Sequence, residues 1–374
     1  MKFFVVAGER SGDLHASNLI YSIKSQAPGA TFKGIGGDLM AEAGADIWMH
    51  YKSLAVMGFQ EVIAQAYKLL KNINDCRDEI SDYQPDAVIC IDYGGFNMRL
   101  GKKLQNRGIP LIYYITPKVW AWNQSRANKI KKYFDKAYVI LPFEGPFLKK
   151  YGIDAKYVGN PVLDSIKKFK PKLDFKSEYR IERDKKFVAL LPGSRRQEVL
   201  YALEILRKVA SAMPDVIFAV SAVNNLQSEL YESIITLPNV KLVYEDSYNM
   251  LYHADAAVVT SGTATLETAL FNVPQVVVYR ASSLTYQIAK KLIKVDYISL
   301  VNLIAGQEVV KELIQNQFNP DNIISELNRI LKKSERWGSI IEGYKEVRQN
   351  LGNNNASNET ARQILTYLAG SNKT

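Results

Sequence analysis

Short apolar runs, each followed by a glycine-containing turn and a helical pattern, recur along this chain and constrain its fold more than any other feature. The first half opens with such a run at residues 3–7 and carries a strongly apolar one at residues 87–91. The alternation restarts at residues 186–191 and continues through residues 275–279. Strands alternating with helices indicate βαβ units and parallel sheets. The sequence therefore predicts an α/β protein with two doubly wound, Rossmann-like domains.

A charged segment separates the two series. Residues 167–186 alternate basic and acidic side chains with few apolar ones, which predicts a linker and an exposed helix. A chain of 374 residues is long enough for two domains. We predict a first domain over residues 1–165, a linker over 166–185, a second domain over 186–345 and a helical tail over 346–374. Whether that tail packs back on the first domain is left open.

The stretch A-A-V-V-T-S-G-T-A-T-L-E at residues 256–267 combines a buried strand, a glycine turn and the start of a helix. Free N–H groups at a helix start bind anions, and glycine permits close approach of a phosphate. Thr263 and Glu267 are four residues apart and share one helix face. Phosphates at the turn and a sugar diol on the carboxylate would form a nucleotide site. The alternative is a capped helix with a solvated glutamate.

Asp92 directly follows the apolar run at residues 87–91, where ligands bind in open α/β sheets. We predict that this carboxylate is a general base, ionised at neutral pH. The alternative is a cap for the helix predicted after it. The glycine loop G-E-R-S-G-D at residues 8–13 lacks the G-x-G-x-x-G spacing of dinucleotide-binding enzymes. Two Rossmann-like halves without that fingerprint suggest an enzyme of GT-B architecture that uses an activated sugar in a cleft between its domains.

The net charge of +10 is concentrated in one region, since residues 102–136 hold nine Lys or Arg against one acid. Nucleic acid, anionic lipid and phosphorylated substrates are candidate partners, but no nucleic-acid-binding motif is present. Two cysteines and three dispersed histidines predict neither a disulfide framework nor a zinc site. No apolar run approaches the ~18 residues that span a bilayer, so we expect a cytoplasmic protein. The apolar segment at residues 54–59 begins an amphipathic pattern that either faces the core or meets lipid.

Several motifs occur in a defined order and together resemble one family. They are A-G-E-R-S-G-D-L-H at residues 7–15, G-I-G-G at 34–37, L-A-V-M-G-F at 54–59, V-W-A-W at 119–122, L-P-G-S-R at 191–195, T-S-G-T-A-T-L-E at 260–267 and D-Y-I-S-L-V-N-L at 296–303. Over about residues 3–315 the chain closely resembles the lipid-A-disaccharide synthase family, inverting glycosyltransferases of the GT-B type. The resemblance implies transfer of 2,3-diacylglucosamine from UDP-2,3-diacylglucosamine to the 6-hydroxyl of 2,3-diacylglucosamine 1-phosphate. The product would be the β-1,6 disaccharide of lipid A.

With this resemblance, three groups of site residues are predicted. The catalytic candidates are Asp92, His15 as an alternative base or phosphate contact, and Arg195. The predicted UDP contacts are Gly193, Ser194, Arg195, Ser261, Gly262, Thr263, Ala264, Glu267 and Asn302. The predicted acceptor and lipid contacts are Ser11, Gly12, Val56, Met57, Gly58, Phe59, Trp120 and Arg126. For Trp120 a plug in the core is the alternative. For the two arginines the alternative is a surface ion pair with Glu198, which fits Arg196 better than Arg195.

The chain departs from the family pattern at two positions. Asn160 stands where the family usually has histidine, and Gly95 stands where many members carry a second aspartate. We expect no cofactor and no metal, because Arg195 and the helix start would offset the diphosphate charge. The expected partners are the two sugar substrates and an anionic membrane on the cytoplasmic face of the inner membrane, with no nucleic acid and with a homodimer left open. A UDP-sugar 2-epimerase is the alternative function.

Overall fold

A computed structural model describes residues 1–54, 62–121, 124–182, 184–224, 226–282, 286–287, 295–332 and 334–371. The chain divides into two compact units, which are called here the first unit (Met1–Pro161 with Asn353–Thr374) and the second unit (Val162–Gly352). Each unit contains one parallel sheet with helices on its faces. The predicted α/β class with two doubly wound units is confirmed.

The first unit has a seven-stranded sheet in the order β3-β2-β1-β4-β5-β6-β7, with every neighbouring pair parallel. Its strands are β1 (Lys2–Ala7), β2 (Thr31–Gly36), β3 (Asp46–His50), β4 (Ala87–Ile91), β5 (Leu111–Tyr114), β6 (Lys136–Val139) and β7 (Ala155–Tyr157). Its helices are α1 (Arg10–Gln26), α2 (Asp38–Glu42), α3 (Val62–Tyr83), α4 (Gly94–Leu104), α5 (Ala127–Tyr133) and α6 (Glu144–Lys149), while α7 (Pro161–Lys168) begins at its last residue.

The second unit has a six-stranded sheet in the order β10-β9-β8-β11-β12-β13, again wholly parallel. Its strands are β8 (Lys186–Leu191), β9 (Val216–Ala222), β10 (Val240–Tyr244), β11 (Ala256–Thr260), β12 (Gln275–Tyr279) and β13 (Lys311–Ile314). Its further helices are α8 (Phe175–Glu178), α9 (Arg196–Ala212), α10 (Glu232–Ile235), α11 (Ser247–His253), α12 (Thr263–Leu270), α13 (Leu300–Ala305), α14 (Pro320–Leu331) and α15 (Glu335–Leu351).

The last helix, α16 (Ala356–Ser371), belongs to the first unit and packs on α1. Its apolar side chains Ala361, Ile364 and Leu368 are buried in the same core cluster as the side chains of β1 and α1. The chain therefore leaves the first unit, forms the second, and returns to complete the core of the first.

The segment predicted as a linker with an exposed helix is largely exposed but is held on the second unit by two buried side chains. Phe175 of α8 is fully buried in the core of the second unit, and Ile181 lies in the same cluster. The backbone N–H of Lys172 donates to Asn249 Oδ1 over 2.7 Å. Phe175 and Ile181 gain burial in this core, while most of the charged side chains of the segment stay in solvent.

Among the described residues, no helix has both the length and the apolar character needed to cross a membrane.

Candidate active site

In each sheet the direction of the strand order changes next to the first strand of the unit. Each unit therefore has one topological switch point with a pair of loops. In the first unit the loops that follow β1 and β4 meet there, and in the second unit those that follow β8 and β11. Ligands of open α/β sheets bind beyond the carboxyl ends of the strands at such points. Asp92 follows β4, Gly193 follows β8, and Ser261 with Gly262 follows β11.

Asp92 lies on a turn that the surrounding structure holds in an uncommon conformation. Asp92 and Tyr93 both have φ of 46°, in the left-handed region that non-glycine residues rarely adopt. The backbone carbonyl of Asp92 accepts hydrogen bonds from Asn97 Nδ2 over 2.8 Å and from the Tyr113 hydroxyl over 2.9 Å. Two consecutive left-handed residues at a strand end are strained, and such strain concentrates at functional sites.

The Asp92 carboxyl is partly buried, and its surroundings set its proton affinity. Burial raises its pKa above the ordinary value, while the charge of Lys118 and the backbone N–H of Tyr93 act in the opposite direction. The N-cap of α4 is Tyr93, and no side chain caps that helix. Asp92 is therefore not used as a helix cap, and its carboxyl remains available to accept a proton.

The glycine loop after β1 packs directly against this turn. A Cβ on Gly8 would overlap the ring of Tyr93, so glycine is required for the two loops to touch. The Tyr93 ring also stacks on Phe96, with 5.6 Å between centroids. The charge of Glu9 faces Tyr93, and it adds to burial in raising the pKa of that phenol.

Asp13 joins the two glycine motifs of the first unit. Its buried carboxylate accepts hydrogen bonds from the backbone N–H groups of Gly37 over 2.7 Å and of Leu39 and Met40 over 3.1 Å each. Of the predicted acceptor contacts nearby, Ser11 is exposed at the start of α1. Gly12 is buried, and a Cβ there would lie 3.4 Å from Ala7 Cβ, an ordinary van der Waals distance, so the packing of α1 on β1 does not by itself require glycine.

His15 is a partly buried residue of α1. Burial lowers the pKa of its imidazole to about 4, so it is neutral at neutral pH. No described residue forms a hydrogen bond or ion pair with the ring that would orient it for proton transfer or hold it charged. Asp92 is consequently the better candidate for the base.

The surroundings of Trp120 favour the alternative of a core plug over a wall for a ligand. Its side chain is buried, and its indole N–H donates to Glu144 Oε1 over 2.9 Å. The other oxygen of Glu144 accepts from the backbone N–H groups of Ile140 and Leu141 over 3.2 and 3.0 Å. Burial nevertheless raises the pKa of Glu144 to about 7. The Trp120–Glu144 pair anchors the loop after β5, which carries Lys118.

The other predicted residues of the first unit differ in how far the structure defines their role. Arg126 is partly buried where α5 begins, and its charge acts on Tyr113, the residue that holds the Asp92 carbonyl. Val56, Met57, Gly58 and Phe59 lie outside the described residues. Asn160 is buried and donates to the carbonyl of Ile140 over 2.9 Å. Gly95 is exposed in the first turn of α4, two residues beyond the Asp92–Tyr93 turn.

The turn of the second unit that is predicted to bind phosphate has open space at Gly262. Gly262 is the N-cap of α12, and a Cβ there would meet no atom within 4 Å. Thr263 is exposed in the first turn, and Ala264 is partly buried behind it. Ser261 Oγ is engaged, because it donates to the carbonyl of Ile298 over 2.8 Å. The N–H groups at the start of α12, rather than the Ser261 hydroxyl, are thus the groups available to an anion.

The loop after β8 contributes Gly193, Ser194 and Arg195. Gly193 has φ of +103°, a conformation that requires glycine, and Ser194 is exposed. The prediction that Arg196 rather than Arg195 pairs with Glu198 is wrong, since Arg195 Nη1 donates to Glu198 Oε1 over 2.9 Å. The Arg195 side chain is 83% exposed, so this ion pair is weak and a bound anion could replace it.

Glu267 lies one turn into α12, and its carboxyl is largely withdrawn from solvent. Burial raises the pKa of this carboxyl, and a hydrogen bond from Tyr248 opposes that rise. The Tyr248 hydroxyl donates to Glu267 Oε1 over 3.1 Å. No described residue donates to Glu267 Oε2, which leaves one oxygen available to accept from a ligand.

Asn302, predicted as a UDP contact, lies in a buried hydrogen-bond network of the second unit. The side chain is fully buried in α13. Its Oδ1 accepts from the N–H groups of Val309 and Val310, and its Nδ2 donates to the Val310 carbonyl and to Glu312. Glu312 also accepts from Ser299 and Ile298, so this network fixes the 298–302 loop beside Ser261.

Sequence reasoning did not assign site roles to Tyr248, Lys118, Glu144 or Glu312. Glu144 could have been found, because it follows β6 at the same carboxyl edge as Asp92. Tyr248 carries no local signal, since it lies 19 residues before the carboxylate that it contacts. Within the described residues, no group of three or more His, Cys, Asp or Glu side chains is arranged to hold a metal ion.

Comparisons with known proteins agree on one family. Residues 3–366 match the family model described as lipid-A-disaccharide synthetase. The chain is 38% identical over 371 residues to lipid-A-disaccharide synthase of Syntrophus aciditrophicus, with 97% of each chain covered. It is 35% identical over 380 residues to the enzyme of the same name from Trichlorobacter lovleyi, with 98% of this chain and 97% of that one covered.

Solved structures share the fold at low sequence identity. The UDP-GlcNAc 2-epimerase from Neisseria meningitidis bound to UDP-GlcNAc gives a TM-score of 0.70 at 15% identity, with 98% of this chain and 100% of that one covered. MurG from Acinetobacter baumannii gives a TM-score of 0.59 at 16% identity, with 98% and 99% covered. Both likenesses extend over nearly the entire chain and establish the GT-B type of fold.

Proposed function

The chain belongs to the lipid-A-disaccharide synthetase family, and from this premise we propose that it is a UDP-sugar-dependent, inverting hexosyltransferase. It transfers 2,3-diacylglucosamine from UDP-2,3-diacylglucosamine to the 6-hydroxyl of 2,3-diacylglucosamine 1-phosphate. The products are the β-1,6-linked lipid A disaccharide 1-phosphate and UDP. The proposal draws support from enzymes named lipid-A-disaccharide synthase that are similar over 97% of the chain or more.

Asp92 is the general base of this proposal. Its carboxylate takes the proton of the acceptor 6-hydroxyl while that oxygen attacks the anomeric carbon of the donor from the face opposite UDP. The bond between the anomeric carbon and the diphosphate oxygen breaks, UDP leaves with the electron pair, and the configuration inverts. A rigid left-handed turn that holds a partly dehydrated carboxylate favours this role over that of the unoriented His15.

UDP is held by the two loops of the second unit. Backbone N–H groups of Gly262, Thr263 and Ala264 and the loop at Gly193 and Ser194 receive the diphosphate. Arg195 exchanges its exposed ion pair with Glu198 for the charge that develops on the leaving phosphate. Glu267 accepts from the ribose hydroxyls. This set needs no metal, so turnover should persist in a chelator, and loss of activity on chelation would contradict this part.

The observation that carries the proposal is the combination of family membership with a constrained carboxylate at the switch point of the first unit. The test is incubation with UDP-2,3-diacylglucosamine and 2,3-diacylglucosamine 1-phosphate, with UDP and a tetra-acylated disaccharide phosphate as the expected products. Asp92→Asn should lose about 10²–10⁴ in rate while UDP still binds in calorimetry. Near-normal turnover by that variant would remove Asp92 as the base.

The 2-epimerase alternative arises from the fold, since the structures that share it include UDP-GlcNAc 2-epimerases. The two activities differ in their need for an acceptor. Consumption of a UDP-sugar without any acceptor would favour the epimerase, whereas strict dependence on the 1-phosphate acceptor favours the transferase. Family membership over residues 3–366 favours the transferase.

Both substrates carry acyl chains, and we propose that the protein binds peripherally to an anionic membrane, on the cytoplasmic face of the inner membrane. Helix α3 exposes Tyr67 and Leu70 beside the exposed lysines Lys68 and Lys71. Apolar side chains bordered by cations match the two requirements of interfacial binding. Tyr67→Ser with Leu70→Ser should weaken binding to anionic vesicles. Leu173→Ser, at an exposed leucine of the second unit, is the matched control and should leave binding unchanged.

A further inference from the structure

Tyr248 connects the Glu267 carboxylate to the segment that enters the second unit. Its hydroxyl donates to Glu267 Oε1 over 3.1 Å, and the Ser165 side chain hydrogen-bonds the same hydroxyl. Ser165 belongs to α7, which begins at the last residue of the first unit and continues into the second. Because one oxygen of the Glu267 carboxylate accepts this hydrogen bond, rotation of the carboxylate about its Cγ–Cδ bond is restrained.

The Tyr248 ring is held by aromatic packing that is independent of its hydroxyl. Phe169 and Phe271 contact it edge to face, with ring centroids 5.7 and 5.2 Å away. Phe169 and Phe271 also contact each other, with centroids 5.3 Å apart. Such T-shaped pairs are a favoured aromatic geometry. The hydroxyl is thereby presented to Glu267 by a ring that has little freedom to turn away.

From these contacts we propose that Tyr248 is a positioning residue for the donor. It occupies Glu267 Oε1 and turns Oε2 toward the ribose hydroxyls of the UDP-sugar. The inference rests on the proposed function, because it assumes that Glu267 binds the ribose. It goes further by assigning ribose selectivity to a pair of residues on α11 and α12 rather than to Glu267 alone.

Tyr248→Phe tests this directly, since it keeps the packed ring and removes only the hydroxyl. Titration calorimetry with UDP and with its 2′,3′-dideoxyribose analogue should show UDP affinity falling about 10-fold, the size expected for one hydrogen bond to a charged group. Affinity for the dideoxy analogue should stay unchanged. In turnover, KM for the donor should rise with kcat near the native value.

Tyr252→Phe is the matched control. Tyr252 lies on the same helix and its ring also contacts Phe169, with centroids 6.2 Å apart, but it makes no described contact with Glu267. Unchanged UDP affinity in Tyr248→Phe, or equal losses for UDP and the dideoxy analogue, would overturn the proposal. If the unaltered protein bound both ligands equally, the ribose role of Glu267 would fail as well, which identifies a failure of the proposed function itself.

Discussion

At the scale of single residues, the proton affinity of Asp92 is the property most open to measurement. The base is active only when deprotonated, so the rate should rise with pH as Asp92 ionises. Burial moves this rise above the pKa of ~3.9 of a free aspartate. Lys118 acts against burial, so Lys118→Gln should raise the Asp92 pKa and move the acidic limb of the kcat/KM profile to higher pH. The pH–rate profile of both proteins checks this.

Lys129→Gln serves as the control for that measurement. Lys129 is an exposed lysine of α5 in the same basic region and does not act on the Asp92 carboxyl. Its profile should match that of the unaltered protein. A limb that moves to lower pH in Lys118→Gln, or moves equally in both variants, would contradict the assignment of Lys118 as the local cation.

Local sequence features were enough to propose some site residues, whereas the contacts of other candidates were visible only in the structure. Asp92 and Glu267 could be located because a strand end and an i,i+4 spacing are local features. Asn302 was predicted as a UDP contact because it lies beyond a predicted strand, yet Glu312 and two backbone N–H groups hydrogen-bond its side chain. The ion pair with Glu198 was expected for Arg196 more than for Arg195, yet Arg195 forms it. The hydrogen bonds of the Asn302 side chain depend on tertiary contacts, which a single sequence does not reveal.

At the scale of elements, the central strands of both sheets were predictable from the sequence, and most of the edge strands were not. Strands β4, β8 and β12 agree with the apolar runs residue for residue, because both of their faces are covered. Strands β3, β7 and β13, which lack an apolar run, are all at sheet edges. Their residues are largely half-buried or exposed and include several charges, so no continuous apolar run marks them.

At the turn before α12, one substitution can distinguish what folding requires from what ligand binding requires. Gly262 has an extended backbone and space around its Cβ position, so Gly262→Ala should leave the free energy of unfolding unchanged within ~0.5 kcal/mol. If a diphosphate approaches this backbone, the added methyl group should weaken UDP binding about 10-fold or more, because the phosphate could no longer make its full contact. Urea unfolding and UDP calorimetry measure the two effects.

Gly193→Ala is the companion variant at the other turn. With φ of +103°, an alanine there is strained whatever space surrounds it, so stability should fall by about 1–3 kcal/mol. Loss of stability without loss of UDP affinity in Gly262→Ala would show that the turn before α12 has only a folding role.

The Trp120–Glu144 hydrogen bond joins the loop after β5 to α6, and the stability that it contributes should depend on pH. Trp120→Phe removes the indole N–H from Glu144 and should cost about 1.5–3 kcal/mol. The pKa of Glu144 is about 7 in the folded protein, above its ordinary value of 4.5. The contribution of Glu144 to the free energy of unfolding is therefore complete below about pH 4.5 and is lost as the pH rises through 7. The variant raises that folded pKa further, so denaturant unfolding should show a larger cost at pH 8.5 than at pH 6.

Glu144→Gln provides the double-mutant cycle for this pair. In that background no carboxylate titrates at this position, so the cost of Trp120→Phe should no longer depend on pH. A cost that keeps the same pH dependence without Glu144 would assign the effect to another group.

At the scale of the whole molecule, the return of α16 makes the first unit depend on both ends of the chain. Gln26 Nε2 donates to the Asn358 carbonyl over 3.2 Å, and Lys156 Nζ donates to Gln363 Oε1 over 3.0 Å. Gly159 has φ of +102°, and a Cβ there would overlap the backbone of Asn354. These contacts join residues more than 190 positions apart, so the core of the first unit is completed only when the last helix is present.

Ile364→Ala tests this dependence without removing the helix. Ile364 is fully buried in the core cluster that contains β1 and α1, so the truncation should cost about 2–5 kcal/mol. Because the lost contacts belong to the first unit, hydrogen exchange should quicken in the peptides of β1 and α1 and stay unchanged in those of β8 and α9. Ile323→Ala, at a fully buried isoleucine of α14 in the second unit, should give the reverse pattern. Equal acceleration in both units from either variant would mean that the two units unfold as one cooperative body rather than separately.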